Sequence, residues 1–143
     1  MITTKSTGEL MDELMQSNDL DKYFKENADC LMADNLSVYV STLLEKKGLV
    51  KSAVVKNTEL SEVHGYQVFS GTRKPSRDAL VCVCVAMGLN VEQTQAVLKI
   101  GGFARLYPKS KRDSILIIGI KNGLTVAKIN EQLFDNGEET LSR

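Results

Sequence analysis

Apolar residues recur along this chain at spacings of three and four, the period of helices that bury one face. Leu10 and Leu14, with Met11 and Met15, make i, i+4 pairs, and Ser6 followed by Glu9 has capping-box spacing, so a helix is predicted over about residues 7–17. Asp19 is placed to cap a second stretch holding Leu20, Tyr23 and Phe24, and the acidic segment through Asp34 carries the weakest pattern of the chain. From Leu36 the pattern strengthens: Leu36, Val40, Leu43 and Leu44 share a face, and Gly48 supplies a left-handed stop. Lys51 to Asn57 reads as a short helix with Val50, Val54 and Val55 as core candidates. Ser61 caps the next, which runs to about Phe69 and ends at Gly71.

Pro75 and Ser76 form a start signal, because the residue before proline is biased away from helix and serine accepts from the next turn. The following run, Ala79 to Met87, is β-branched enough for a buried strand; the cap, the length and Gly88 beyond it favour a buried helix. Asn90 and Gln93 again have capping-box spacing, opening a helix with Val91, Thr94, Val97 and Leu98 that ends near Gly101 and Gly102. After the connector Leu106-Tyr107-Pro108, Ser110 caps a helix carrying Ile115, Leu116, Ile118 and Gly119, stopped by Asn122-Gly123. A last helix opens at Leu124-Thr125 and bears the stripe Val126, Ile129, Leu133 and Phe134. The expected class is all-α with short connectors.

Composition changes this picture little, since 143 residues with 43% hydrophobic and 25% charged positions describe one ordinary globular domain with a sizeable core. Charge changes it more. The formal net charge is zero, but residues 1–35 hold 3 Lys or Arg against 8 Asp or Glu, residues 36–112 hold 12 against 5, and residues 113–143 hold 3 against 5. A basic middle lies between acidic ends, which suits a polyanionic partner.

The longest apolar run is about half the roughly 20 residues of a membrane helix, and the first residues lack the apolar core of a signal peptide, so a cytoplasmic protein with no membrane partner is expected. Cys82 and Cys84 sit two apart in a helical run and point to different faces, as buried free thiols do. With His64 as the one histidine, no metal or cofactor is expected. The chain also lacks a phosphate-cradling glycine loop and any Ser/His/Asp or Cys/His arrangement, which argues against an enzyme and leaves no catalytic residue to name.

Residues 36–100 resemble the lambda repressor/Cro-like (XRE) helix-turn-helix family. The resemblance rests on Lys47-Gly48-Leu49 before the motif, Leu60 at the corner, Val68 in the second helix and Ser70-Gly71 closing it. It continues in Arg73-Lys74-Pro75-Ser76 leading into Asp78-Ala79-Leu80, and in the ending Met87-Gly88-Leu89. It implies a five-helix DNA-binding core over residues 36–100, with an acidic helical arm over 1–35 and a helical extension over 101–143 packed on the core. It departs from the family at three places, where Val55 replaces a small residue, Glu59 a corner glycine and Gly65 an aliphatic residue. Gly65 reads as a site of close approach by a backbone or by a large side chain such as Tyr66 or Phe69.

The resemblance implies a sequence-specific transcriptional regulator bound to double-stranded DNA, with the second motif helix in the major groove. Its base readers are then Ser61, Glu62, Val63 and Gln67: Gln67 pairs with adenine, Glu62 accepts from cytosine N4, and Val63 meets a thymine methyl. Phosphates fall to Lys51, His64, Arg73, Lys74 and Arg77. Against this, Glu62 repels phosphate, and Gln67, Glu62 and His64 are also ordinary helix residues. The C-terminal stripe is either a homodimer contact or the completion of the monomer core. A competing reading keeps the scaffold as a protein-interaction adaptor, with Glu59, Glu62 and Gly65 marking a helix turned to a protein partner. In a third, the acidic arm covers the basic face.

Overall fold

The computed structural model describes residues 7–16 and 32–141. The expected cap at Ser6 and the stretch containing Leu20, Tyr23 and Phe24 lie outside the described residues. Within them the chain is all-α, with eight helices and no strand: α1 (Thr7–Gln16), α2 (Met32–Lys46), α3 (Lys51–Asn57), α4 (Glu62–Ser70), α5 (Arg77–Ala86), α6 (Val91–Ile100), α7 (Lys111–Lys121) and α8 (Val126–Asp135). None of these helices is long and apolar enough to cross a membrane.

Side-chain caps set the helix starts. Ser61, Ser76, Ser110 and Thr125 each accept from the backbone N–H three residues on, at 3.1 to 3.2 Å, and Asn90 with Gln93 closes a full capping box. α2 begins at Met32, before the Leu36 stripe. The β-branched run is helical: α5 buries Ala79, Leu80, Val81, Cys82, Val83 and Cys84 because α3, α4, α6 and α8 all pack against it. Neither Cys82 nor Cys84 forms a disulfide, and burial pushes the Cys84 thiol up to about 12. One hydrophobic cluster runs without a break from Val40 to Leu141.

Two core expectations need correction. Val50 is the extended residue before α3 and is 65% exposed, because only the following turn, with Val54 and Val55, faces inward. In the C-terminal stripe, Val126, Ile129 and Leu133 are buried in the monomer core, whereas Phe134 is 75% exposed. Those three side chains are therefore unavailable for contact with a second copy.

The second half of the molecule is an internal repeat, which the period of single helices does not reveal. Residues 77–106 recur as 112–141: Arg77-Asp78 corresponds to Arg112-Asp113, Gly88-Leu89 to Gly123-Leu124, Val91 to Val126, Leu98 to Leu133, and Leu106 to Leu141. Hydrogen bonds repeat with the residues. The Leu106 N–H donates to Gln95 Oε1 at 2.7 Å, and the Leu141 N–H donates to Asn130 Oδ1 at 2.7 Å.

The two copies, α5–α6 and α7–α8, clamp each other reciprocally. Arg77 grips Asp113 through both terminal nitrogens at 3.1 and 2.9 Å, while Arg112 grips Asp78 at 2.9 and 3.1 Å. Each Nε donates to a backbone carbonyl at 3.0 Å, of Ala104 for Arg77 and of Glu139 for Arg112. Such an exchange, in which i meets j and j meets i, is the signature of an isologous contact, which closes instead of propagating. Burial raises the Asp113 carboxyl, but hydrogen bonds from Arg77 and the Tyr107 N–H, with the charges of Arg77 and Arg112, outweigh it and hold the group below the usual carboxylate range.

Candidate nucleic-acid interface

The pair α3–α4 is joined by Thr58-Glu59-Leu60-Ser61, and its shape follows from two residues. Glu59 adopts φ 64°, the one positive φ of a non-glycine among the described residues, and so makes the corner where glycine would be the easier choice. Thr58 is fully buried, donates to the Val55 carbonyl at 2.6 Å and accepts from the Leu60 N–H at 3.2 Å, which locks the corner. Gly65 then lets α4 approach α3 closely. A Cβ built there would lie 2.7 Å from Val55 Cγ1, so the large neighbour is Val55 on the other helix, not Tyr66 or Phe69.

These features account for the three departures together. Val55 and Gly65 are partners, a large residue on α3 meeting no side chain on α4. The same contact occurs with the sizes exchanged in α7–α8, where a Cβ on Gly119 would lie 2.6 Å from Ile129 Cγ1 and the corner is Gly123 at φ 68°.

α4 offers its first turn to solvent. Ser61 and Glu62 are exposed and Val63 is 70% exposed, while His64 and Gln67 are half-buried. The Ser61 hydroxyl accepts from the His64 N–H at 3.2 Å, so its first task is capping. Glu62, Val63 and Gln67 line one shallow depression with Lys51, Tyr66 and Ser70. Motif position does not point to Tyr66 and Ser70 as surface residues; their spacing from Glu62, Val63 and Gln67 along a helix is the signal that does. The Lys51 ammonium lies 5.9 Å from the Phe69 ring centroid, within cation–π range.

The expected phosphate cations separate into three places. Lys51 borders the depression. Arg73 and Lys74, both exposed, line a different groove with Leu36, Val68 and Ile100, and the Lys74 ammonium sits 5.3 Å from the Phe103 ring centroid. Arg77 is withdrawn from the set: its Nε and both terminal nitrogens are engaged by Asp113 and by the carbonyls of Ala104 and Arg105, so its guanidinium is a structural clamp. Arg112 is engaged in the same way by Asp78, and Lys111 donates to the Asn136 carbonyl at 2.8 Å. Among the described residues no three His, Cys, Asp or Glu side chains gather as metal ligands would.

Comparison with family models, with curated proteins and with solved structures gives no match for this chain. The chemistry of the site therefore rests on its own geometry.

Proposed function

We propose that this protein is a sequence-specific DNA-binding transcriptional regulator of the lambda repressor-like type, using α3–α4 as its helix-turn-helix and α4 as the reading helix. The observation that supports this reading is the corner itself: Glu59 held left-handed, followed by a capped α4 seated on Val55 through Gly65. Chains rarely adopt this conformation at glutamate without a reason, and a fixed corner sets how far α4 stands out to enter a groove. On this reading Ser61, Glu62, Val63 and Gln67 meet base edges, and Lys51, His64, Arg73 and Lys74 meet phosphates. For two copies on half-sites about 34–36 Å apart, Ile118 and Phe134, 55% and 75% exposed, are the C-terminal apolar side chains left for mutual contact.

The test is binding to the protein's own upstream DNA and to random duplex across a salt series. Replacing Arg73 and Lys74 by alanine is expected to weaken binding to both and to flatten the slope of log K against log salt by about 0.9 for each phosphate that is no longer neutralised. Replacing Gln67 by alanine is expected to cost about 1–3 kcal/mol on the specific site alone. Equal affinity for all duplexes, unmoved by either change, would refute the reading.

One observation favours a second reading, the protein-interaction adaptor. The depression on α4 places Glu62, Val63 and Tyr66 beside a single cation, Lys51, so its character is mixed instead of uniformly positive. Failure to bind DNA, with capture of a protein partner abolished by Val63→Asp, would select it.

A further inference from the structure

Two surfaces of this chain expose apolar side chains and carry opposite charge. The first is the groove between the start of α2, the end of α4 and the end of α6, with an open volume of about 490 Å³; the half-buried Leu36 and Ile100 supply its apolar walls over a floor of buried Val68 and Pro75, and Arg73 and Lys74 supply the cations. The second is α1, whose stripe holds Met11, Leu14 and Met15 at 54%, 41% and 78% exposed. At 100° per residue Leu10, Met11, Leu14 and Met15 form one apolar arc with Asp12 and Glu13 on its two borders, the design of a helix that lies in a groove with acidic flanks.

We infer that α1 docks in the α2–α4–α6 groove of its own chain, with its apolar arc on Leu36 and Ile100 and its acidic flanks toward Arg73 and Lys74. Charge selects this occupant: residues 1–35 carry the chain's acidic excess, and the groove's two ionic side chains are both cationic. Reach allows it, because the connection, residues 17–31, spans at most about 50 Å at roughly 3.3 Å per residue, and it re-enters the fold at α2, whose Leu36 is a wall of the groove. Docking withdraws Arg73 and Lys74 from any polyanion. That consequence, though not the docking, rests on the DNA reading.

The test uses the full chain with Cys30→Ser and a nitroxide label at Gln16→Cys, on the polar side of α1. Cys82 and Cys84 are fully buried and resist labelling. The expected result is loss of the amide signals of Gly71, Gly101 and Gly102 through paramagnetic broadening, their return with Met11→Asp/Leu14→Asp, and their return with Arg73→Glu/Lys74→Glu. Adding Asp12→Lys/Glu13→Lys to the latter pair restores the broadening. Undiminished signals at those glycines overturn the proposal. So does broadening confined to Ile115 and Ile118, or broadening of unlabelled, isotope-enriched chains mixed with labelled ones, which would mean docking elsewhere or between copies. Random duplex at low salt is expected to restore the three signals; if broadening is present but DNA leaves it unchanged, docking stands and the DNA reading fails.

Discussion

The pair α3–α4 and the repeat α5–α8 use the same local device for different ends. Each pair turns through a left-handed residue followed by leucine and a capping residue: Glu59-Leu60-Ser61, Gly88-Leu89-Asn90 and Gly123-Leu124-Thr125. In the repeat, Arg77 and Arg112 are drawn inward by the reciprocal clamp. Around α4, by contrast, Lys51, Arg73 and Lys74 stay exposed, and two of them rest on aromatic rings instead of carboxylates. The repeat thus uses Arg77 and Arg112 to hold the fold, whereas the cations around α4 remain at the surface.

The largest expected effect comes from breaking the clamp. Arg77→Ala leaves the Asp113 carboxylate, 10% exposed, without its main counter-ion, and should cost about 3–5 kcal/mol in urea unfolding. Arg112→Ala should cost less, because its pair keeps more water, at 21% and 23% exposed. Equal and small losses would show that the repeat is held by apolar packing alone. The clamp also carries a pH signature. Because the folded carboxyl of Asp113 is depressed, its stabilisation is fully present above the ordinary value of about 3.9 and is lost as pH falls through the folded value. The cost of Asp113→Asn should therefore be greatest near neutrality and shrink below about pH 4.

The next effect sharpens the comparison of the two close helix contacts. Gly65→Ala presses a Cβ to 2.7 Å from Val55 Cγ1 and should destabilise by about 1–3 kcal/mol, and Val55→Ala by itself opens a void. Combined, the two should be less harmful than their sum, with a coupling of about 0.5–3 kcal/mol. Gly119→Ala with Ile129→Val should behave alike. Simple additivity at both sites would show that the helices shift apart freely, and that the exchange of sizes carries no meaning.

The helices are legible in the sequence because caps and stops are local: Ser61, Ser76, Asn90, Ser110 and Thr125 announce their turns within three residues. The helical state of Ala79–Ala86 is harder to read, since a segment buried on every side loses the polar face that marks its period. Arg77 misleads for a different reason. Its partner, Asp113, lies 36 positions away, and nothing near Arg77 distinguishes an arginine that faces phosphate from one that crosses the fold. The recurring Arg-Asp dipeptide is visible in the chain, but its meaning lies in the exchange between copies, which only packing reveals. Val55 and Gly65 look like separate departures when each is weighed against a motif position instead of against the other.

Glu59 provides the smallest and most local test. A left-handed conformation costs an ordinary residue about 1–2 kcal/mol, and glycine, free of that cost, loses about 0.5–1 kcal/mol in chain entropy, so Glu59→Gly should stabilise by about 0.5–1 kcal/mol. In a domain of this size that corresponds to a rise in Tm of about 2–3 °C. Gly123→Ala, at the equivalent corner of α7–α8, should lower Tm by a similar amount, because φ there is 68°. A stabilised Glu59→Gly that binds DNA unchanged would mean that glutamate is merely tolerated at this corner. A stabilised variant with altered affinity or sequence preference would mean that the carboxylate itself faces the partner. The strain would then be the cost of placing a negative charge at the rim of the reading helix, where it repels every duplex except one that brings a donor to meet it.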